Sequence, residues 1–277
     1  MPVIALTQGM GSLAQDIAEQ LAQELQLSTL QHEVAARVAS KMHVSKSLIS
    51  RLRGGKASTL ERLTADRDAM AIYTAEEVLE AAAAGNVVLR GWGATALLRP
   101  VPHVPCVRIL RPFAKRVQWL MAEIDTDDIE AAQAEIKRSD EANASRMHEQ
   151  FGVDWGDPVL FDLVLNADRL SIDTCVQQIK ALLARPEFAE TEASRALLRA
   201  MALHARVRAA LRADEATRGV DITIEGSDAD VVLRGIVVNA AERAAVERVA
   251  AAVPGVAALD NQLRVMGPSR LFPSARA

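Results

Sequence analysis

The sequence predicts an α/β protein: a parallel sheet with flanking helices, followed by a smaller α+β unit. Two observations carry the first part of that prediction. Short apolar runs alternate with helical patterns over the first two thirds of the 277 residues, as expected of parallel strands buried on both faces. The strands are spaced by helices rather than hairpins, which favours crossover connections. A third observation separates the rest. After the linker-like ARPEFAETEA, Ala184 to Ala193, the strands become alternating rather than continuously apolar.

Four strands are expected in the first part: PVIALT at 2–7, NVVLR at 86–90, PCVRIL at 105–110 and FDLVLN at 161–166. In the first helix Leu13, Ile17, Leu21 and Leu25 form one apolar stripe. The later unit opens with a helix over 194–212. VDITIEG then places Val220, Ile222 and Ile224 on one face, and VVLRGIV places Val231, Leu233 and Gly235 in step. Asn239 and Glu242 have capping-box spacing ahead of a helix with Val246, Val249, Ala250 and Val253 on one side. LDNQLRV supplies the last strand. The expected organisation is therefore 1–185, a linker at 186–193, a unit at 194–267, and a disordered tail at 268–277.

Composition narrows the function classes. Half of the residues are hydrophobic but only 3% are aromatic, so alanine, leucine and valine must fill the core. The formal charge of −4 opposes a globally basic polyanion binder. No apolar run reaches the ~18 residues of a membrane span, and no leader pattern opens the chain. Cys106 and Cys175 lie far apart in apolar patterns and read as buried hydrophobes. A cytoplasmic location is the expectation.

The stretch TQGMGSLAQ, at the end of the first strand, has the layout of a phosphate-binding loop without its lysine. Gly9 and Gly11 are present. Ser12 and Gln15 have the spacing of a capping box, which would close the helix end with its own side chains. The loop residues Gly9, Gly11, Ser12 and Gln15 are the candidate phosphate-binding set.

VIALTQGMGSLAQDIAEQLAQEL resembles the opening of the cytidylate-kinase-like proteins, which begin with a strand, Gly-Ser-Gly-Gly and a helix. VVLRGWGATALL is similar to that family's Val-Gly-Arg-Gly-Ala segment, and VRILRPFAKRVQWLM to its strand-Ala-Pro-helix with an arginine at Arg116. FGVDWGDPVLFDLVLNADRLSIDTCVQQI is similar to the family's closing strand and helix. The resemblance covers about residues 1–185. It implies a P-loop nucleoside monophosphate kinase fold, with ATP and magnesium at the first loop and a cationic lid carrying Arg116, Arg138 and Arg146. Arg90, Gly91, Trp92 and Gly93 stand where the acceptor phosphate is held. The stretches VRAALRAD and VVLRGIVVNAAERAAVERVAAAVPGVAALDNQLRV resemble a BON domain, an interaction module often linked to membranes or phospholipids. That implies a protein or phospholipid partner.

This chain departs from the pattern at both phosphate sites. Gly11-Ser12-Leu13-Ala14-Gln15 lacks two glycines and an arginine, and Trp92 replaces the arginine of Gly-Arg-Gly. Tryptophan has one neutral donor and makes no bidentate phosphate contact. Phosphoryl transfer depends on positioning and charge stabilisation. The expectation is a degenerate, pseudokinase-like nucleotide-binding or regulatory protein in which ATP and magnesium binding is weakened or lost. The alternative is an active ATP-dependent kinase of a CMP-type acceptor, with Arg90, Arg116, Arg138 and Arg146 as cations.

Other signals have simpler readings. Residues 34–58 resemble a helix-turn-helix, with Lys41, Lys46, Arg51, Arg53 and Lys56 as a basic stripe. The competing reading is a solvated face of the kinase fold, and nucleic acid is the disfavoured partner. The acidic run Asp125, Asp127 and Asp128 fits a helix N-terminus, which attracts carboxylates, better than a metal site. Asp154 and Asp157 fit a turn before a strand. The five histidines have no ligand spacing.

Overall fold

The computed structural model describes residues 1–30 and 32–266. The chain divides into two compact units, Met1–Leu198 and a second beginning at Arg199. The tail expected at 268–277 lies outside the described residues.

In the first unit, β1 (Val3–Gln8) leads into α1 (Ala14–Leu25) and then β2 (Ser28–Leu30). Helices α2 (His32–Lys41), α3 (Lys46–Arg53), α4 (Thr59–Thr64) and α5 (Arg67–Ala84) follow before β3 (Val87–Arg90). A single turn, α6 (Ala94–Leu97), separates β3 from β4 (Cys106–Leu110). Two helices, α7 (Phe113–Glu123) and α8 (Ile129–Phe151), precede β5 (Leu163–Asn166) and α9 (Ile172–Leu183). The five strands lie in the order β2-β3-β1-β4-β5, and every pairing is parallel. The parallel sheet with flanking helices is thus present, and its four longer strands match the apolar runs to within two residues.

The short edge strand β2 has no counterpart in the sequence reading. Its three residues are exposed or half-buried, so no apolar run marks it. Beneath the sheet, Ile17 and Leu21 of α1 are fully buried, with Leu13 and Leu25 partly so. Cys175, Val176 and Ile179 of α9 complete that layer.

Several polar residues settle into local roles. Asp128 caps α8 by accepting from the Ala131 amide. Asp154 accepts from the Gly156 amide, and Asp157 from that of Val159, which fixes the turn ahead of β5. Trp155 lies under Arg108, whose guanidinium is 4.6 Å from the ring, and donates its Nε1–H to Thr7 Oγ1 at 3.1 Å. Among the described residues no group of three or more His, Cys, Asp or Glu is arranged to hold a metal ion.

Helix α10 (Glu192–Ala213) carries the boundary between the units. The second unit continues with β6 (Thr223–Glu225), β7 (Asp230–Val237), α11 (Ala240–Ala251) and β8 (Ala258–Val265). β7 is central, antiparallel to β6 and parallel to β8. Leu203, Val207 and Leu211 of α10 and Val246, Val249 and Ala250 of α11 pack with Val231 and Leu233 of β7. Asn239 accepts from the Glu242 amide at 2.8 Å, while Glu242 reaches back one residue further, to the Val238 amide. At the shared end of β7 and β8, Ile236, Val238, Val265 and Met266 remain exposed. No helix among the described residues is long and apolar enough to cross a membrane.

Candidate functional site

The site begins where β1 ends. Residues 9–13 make a sharp turn from the sheet into α1, closed by the Ser12 amide donating to the Gly9 carbonyl at 3.3 Å. Helix α7 lies directly on this turn. A Cβ on Gly9 would stand 2.9 Å from the Arg116 guanidinium carbon, and one on Gly11 2.9 Å from the Trp119 ring. At Gly11 the Trp119 ring, the Arg116 backbone and a φ of +75° together require glycine, whereas a Cβ at position 9 would have to displace the end of the Arg116 side chain. Arg116 then ties the turn in place. Its Nε–H donates to the Met10 carbonyl at 2.7 Å, and its two terminal nitrogens pair with Asp140 of α8 at 2.9 and 2.7 Å.

Leu13 is the N-cap of α1 and has φ +63°, in the left-handed region. That conformation costs a branched residue about 1–2 kcal/mol and is normally assigned to glycine. The backbone has therefore kept a glycine-type shape where the glycine itself is absent.

The capping box expected from Ser12 and Gln15 does not form. No side chain caps α1. Ser12 is buried with its Oγ unpartnered, and Gln15 turns to Glu19 at 2.9 Å and accepts from Arg90 at 3.4 Å. The cause is Leu13, whose left-handed backbone rotates Ser12 out of the N-cap position. The first amides of α1 thus have neither an intrahelical acceptor nor a side-chain cap, and they carry the positive end of the helix dipole.

A second turn of the same kind sits beside it, at the end of β3. Leu6 of β1 is in register with Arg90 of β3. Gly91, Trp92 and Gly93 follow with φ of +77°, +59° and +71°. Gly93 is required by Phe151 of α8, whose ring would lie 2.7 Å from an added Cβ. Trp92 is buried and stacks under Arg53 of α3, whose guanidinium carbon is 3.4 Å from the ring centroid.

Between the two turns lies a cavity of about 390 Å³, at the carboxyl ends of adjacent parallel strands, where open α/β sheets bind ligands. Its lining includes Gly9, Gly11, Ser12 and Gln15 from the first turn and Arg90, Gly91 and Trp92 from the second. Lys46, Ser50 and Arg53 enter from one face of α3, and Trp119, Ser139 and Asn143 from α7 and α8. Three lining residues are cationic, Lys46, Arg53 and Arg90, against the single carboxylate of Asp16. Enclosure pushes Arg90 below the ordinary arginine range, partly offset by Glu19 and Asp16. Burial, and then the neighbouring Arg146, hold Arg53 well below it.

The lid cations named from sequence lie elsewhere. Arg116 is engaged with Met10 and Asp140, as described. Arg138 pairs with Glu135. Arg146 donates to the backbone carbonyls of Arg53 at 2.8 Å and Ala142 at 3.2 Å, and burial draws it down to about 10. None of the three lines the cavity. Gly93, also named from sequence, caps α6 behind it.

The helix-turn-helix stripe also resolves differently. Lys41 pairs with Glu76 and Glu77, Arg51 with Glu61, and Lys56 with Glu135. Arg53 and Lys46 face the cavity. The stripe is therefore not a continuous basic surface for nucleic acid. Arg53, Lys46 and Ser50 are the site residues that local motif reading missed. Their i, i+4, i+7 spacing on α3 already placed them on one helical face.

Comparison with known proteins agrees with this architecture. The model of the cytidylate kinase-like family matches residues 3–169, and that of the BON domain matches residues 202–267. A cytidylate kinase from Staphylothermus marinus is 26% identical over 137 residues, half of this chain and 76% of that protein. One from Pyrobaculum islandicum is 31% identical over 99 residues, and there the chain spans about half of the relative's length, 53%. Among solved structures, an uncharacterized protein from Eubacterium ventriosum superposes with a TM-score of 0.52 and 18% identity. It covers 67% of this chain and 100% of its own, a likeness of fold.

The strained cap yields a direct test. Leu13→Gly and Leu13→Ala remove the same packing, but only glycine is at ease at φ +63°. In urea unfolding, Leu13→Gly is expected to be more stable than Leu13→Ala by about 1 kcal/mol. Alanine as the more stable variant would contradict the left-handed cap.

Proposed function

Because the chain belongs to the cytidylate kinase-like family and matches the BON domain over residues 202–267, we propose that it is a nucleotide-binding regulatory protein. In this reading the glycine loop holds phosphate, phosphoryl transfer is lost or slow, and the BON unit recruits a partner. The carrying observation is the uncapped N-terminus of α1, with the buried Ser12 Oγ unpartnered beside it. A helix end of this kind is a ready anion site. ATP fits through its phosphates. Ser12 and the first amides of α1 would hold them, and Asp16 is the carboxylate beside the loop through which a phosphate-bound magnesium ion would be met.

What argues against efficient transfer is the placing of the cations. Phosphoryl transfer relies on positive groups set at the transferred phosphate. The loop itself supplies none, since residues 9–15 contain no lysine or arginine and Gln15 is neutral. Arg116 is spent on Asp140 and Met10. A second reading, an active nucleoside monophosphate kinase, draws on Lys46 and Arg53, which line the cavity from α3, and on Arg90 at the end of β3, which reaches Gln15.

A coupled assay of ATP with CMP, dCMP, UMP and AMP separates the two readings, run beside thermal unfolding. The expected result is no turnover, with a rise in melting temperature at millimolar ATP. Saturation at a hundredfold the dissociation constant adds about 2.7 kcal/mol, or roughly 5–10 °C for a unit of this size. Turnover abolished by Arg53→Ala would establish the active kinase instead. No thermal shift with any nucleotide would remove nucleotide binding altogether.

For the BON unit, the exposed Ile236, Val238, Val265 and Met266 at one end of the sheet support a docking role, with Arg264 between them in sequence. Co-sedimentation of the chain with vesicles of anionic phospholipid is expected to pellet it, and Ile236→Asp to reduce pelleting severalfold. Failure to pellet would leave a protein partner as the function of this patch.

A further inference from the structure

The sheet of the second unit ends at an open edge. Among the described residues β8 pairs with β7 alone. Alternation along the ladder decides which backbone groups face the open side. The Met266 amide donates inward, to the Val237 carbonyl at 2.8 Å, so even-numbered residues serve β7. Odd-numbered residues turn outward, and two of them bond side chains. The Leu263 amide donates to Asn261 Oδ1 at 3.2 Å, and the Asn261 carbonyl accepts from Arg243 at 3.1 Å. A strand edge of eight residues, with side chains standing in for a neighbour, is a template for a further strand.

The side chains of the edge show which neighbour fits it. On the face away from α10 and α11, a polar ladder crosses the sheet. Glu225 pairs with Arg234 at 3.0 Å, Arg234 donates to Gln262 at 3.0 Å, and Gln262 to Asp260 at 2.6 Å. The ladder thus reaches the edge as an acid. Four residues on, exposed on the same face, Arg264 makes no ion pair among the described residues. An acid and a base spaced in this way match a copy of themselves run in the opposite direction.

We propose that β8 is a self-association edge, pairing antiparallel with β8 of a second copy about a two-fold axis at Gln262. Asp260 of each copy then faces Arg264 of the other, at non-hydrogen-bonded positions where side chains stand closest. The outward residues exchange backbone hydrogen bonds, Asn261 facing Leu263 and Leu259 facing the exposed Val265. Sliding by one step that keeps the outward groups opposed sets Asp260 against Gln262 or Met266. The next step sets Asp260 against Asp260 or Arg264 against Arg264, so a single register joins opposite charges. The surface is self-complementary, as a two-fold interface must be. A single strand edge falls short of the roughly 1,200 Å² of a standard stable interface, so the dimer is weak, with a micromolar or higher dissociation constant. No residue lining the cavity takes part, and the nucleotide reading stands or falls separately.

The test is sedimentation equilibrium of the full chain at low salt, from micromolar to about millimolar concentration. The natural protein is expected to show a reversible monomer–dimer equilibrium. Asp260→Arg sets arginines against arginines, and Arg264→Asp sets aspartates against aspartates. Each variant alone should dimerise at least fivefold more weakly. Mixed in equal amounts, they should form a heterodimer within a few-fold of the natural affinity, because both facing pairs are again opposite in charge. Gln262→Cys faces itself across the axis and should form an interchain disulfide at least tenfold faster than Ala258→Cys. The native Cys106 and Cys175 are buried and stay out of that comparison.

A natural protein that stays monomeric at millimolar concentration would overturn the proposal. Single variants that dimerise as tightly as the natural chain would do the same, as would a mixture no tighter than its components. Equal cross-linking at positions 258 and 262 would contradict the register. Circular dichroism shows whether each variant is folded. Should either charge variant unfold, the two cross-linking rates decide the matter alone.

Discussion

The contact on which the site depends is Arg116 lying across the glycine turn. One side chain binds the Met10 carbonyl, covers Gly9 and pairs with Asp140, so it joins the end of β1 to α7 and α8 at once. Its backbone and the Trp119 ring occupy the space a side chain at position 11 would need. With the turn fixed, Leu13 is forced into the left-handed region, Ser12 is moved away from capping, and α1 begins with its amides unanswered. Arg116, which the resemblance places in a lid, is paired in the structure with Asp140.

The turn at Gly91–Gly93 shows the same economy of backbone. Phe151 requires Gly93, and Trp92 adopts a shape more natural to glycine. Two strained, non-glycine residues, Leu13 and Trp92, thus flank one cavity. Strain of this kind persists only where neighbouring contacts over-determine it. Here the neighbours are α7 on one turn and α3 with α8 on the other. The cations that line the cavity are Lys46 and Arg53 from α3 and Arg90 from β3.

Much of the fold was legible in the sequence because the central strands are continuously apolar and the later ones alternate. β2 was not, since three exposed residues at a sheet edge leave no pattern. The glycines of both turns and the substitution at Trp92 were legible as motif positions. The state of Ser12 was not, because a serine followed three residues later by glutamine has the same spacing whether or not the intervening backbone is left-handed. Arg53 was visible as a cation but was grouped with Lys41, Arg51 and Lys56. Only the tertiary pairing of those three with glutamates, and of Arg53 with Trp92, separates them. Long-range partners of this kind leave no trace in local spacing.

The central claim is that the turn between β1 and α1 has kept the geometry of a phosphate cradle without its lysine. Backbone amide chemical shifts of the ¹⁵N-labelled chain, followed during titration with ATP, test that most directly. The account predicts saturable shifts concentrated at Gly11, Ser12, Leu13 and Ala14, the amides at the uncapped end of α1. Shifts that spare these four, or that scatter without saturating, would contradict it.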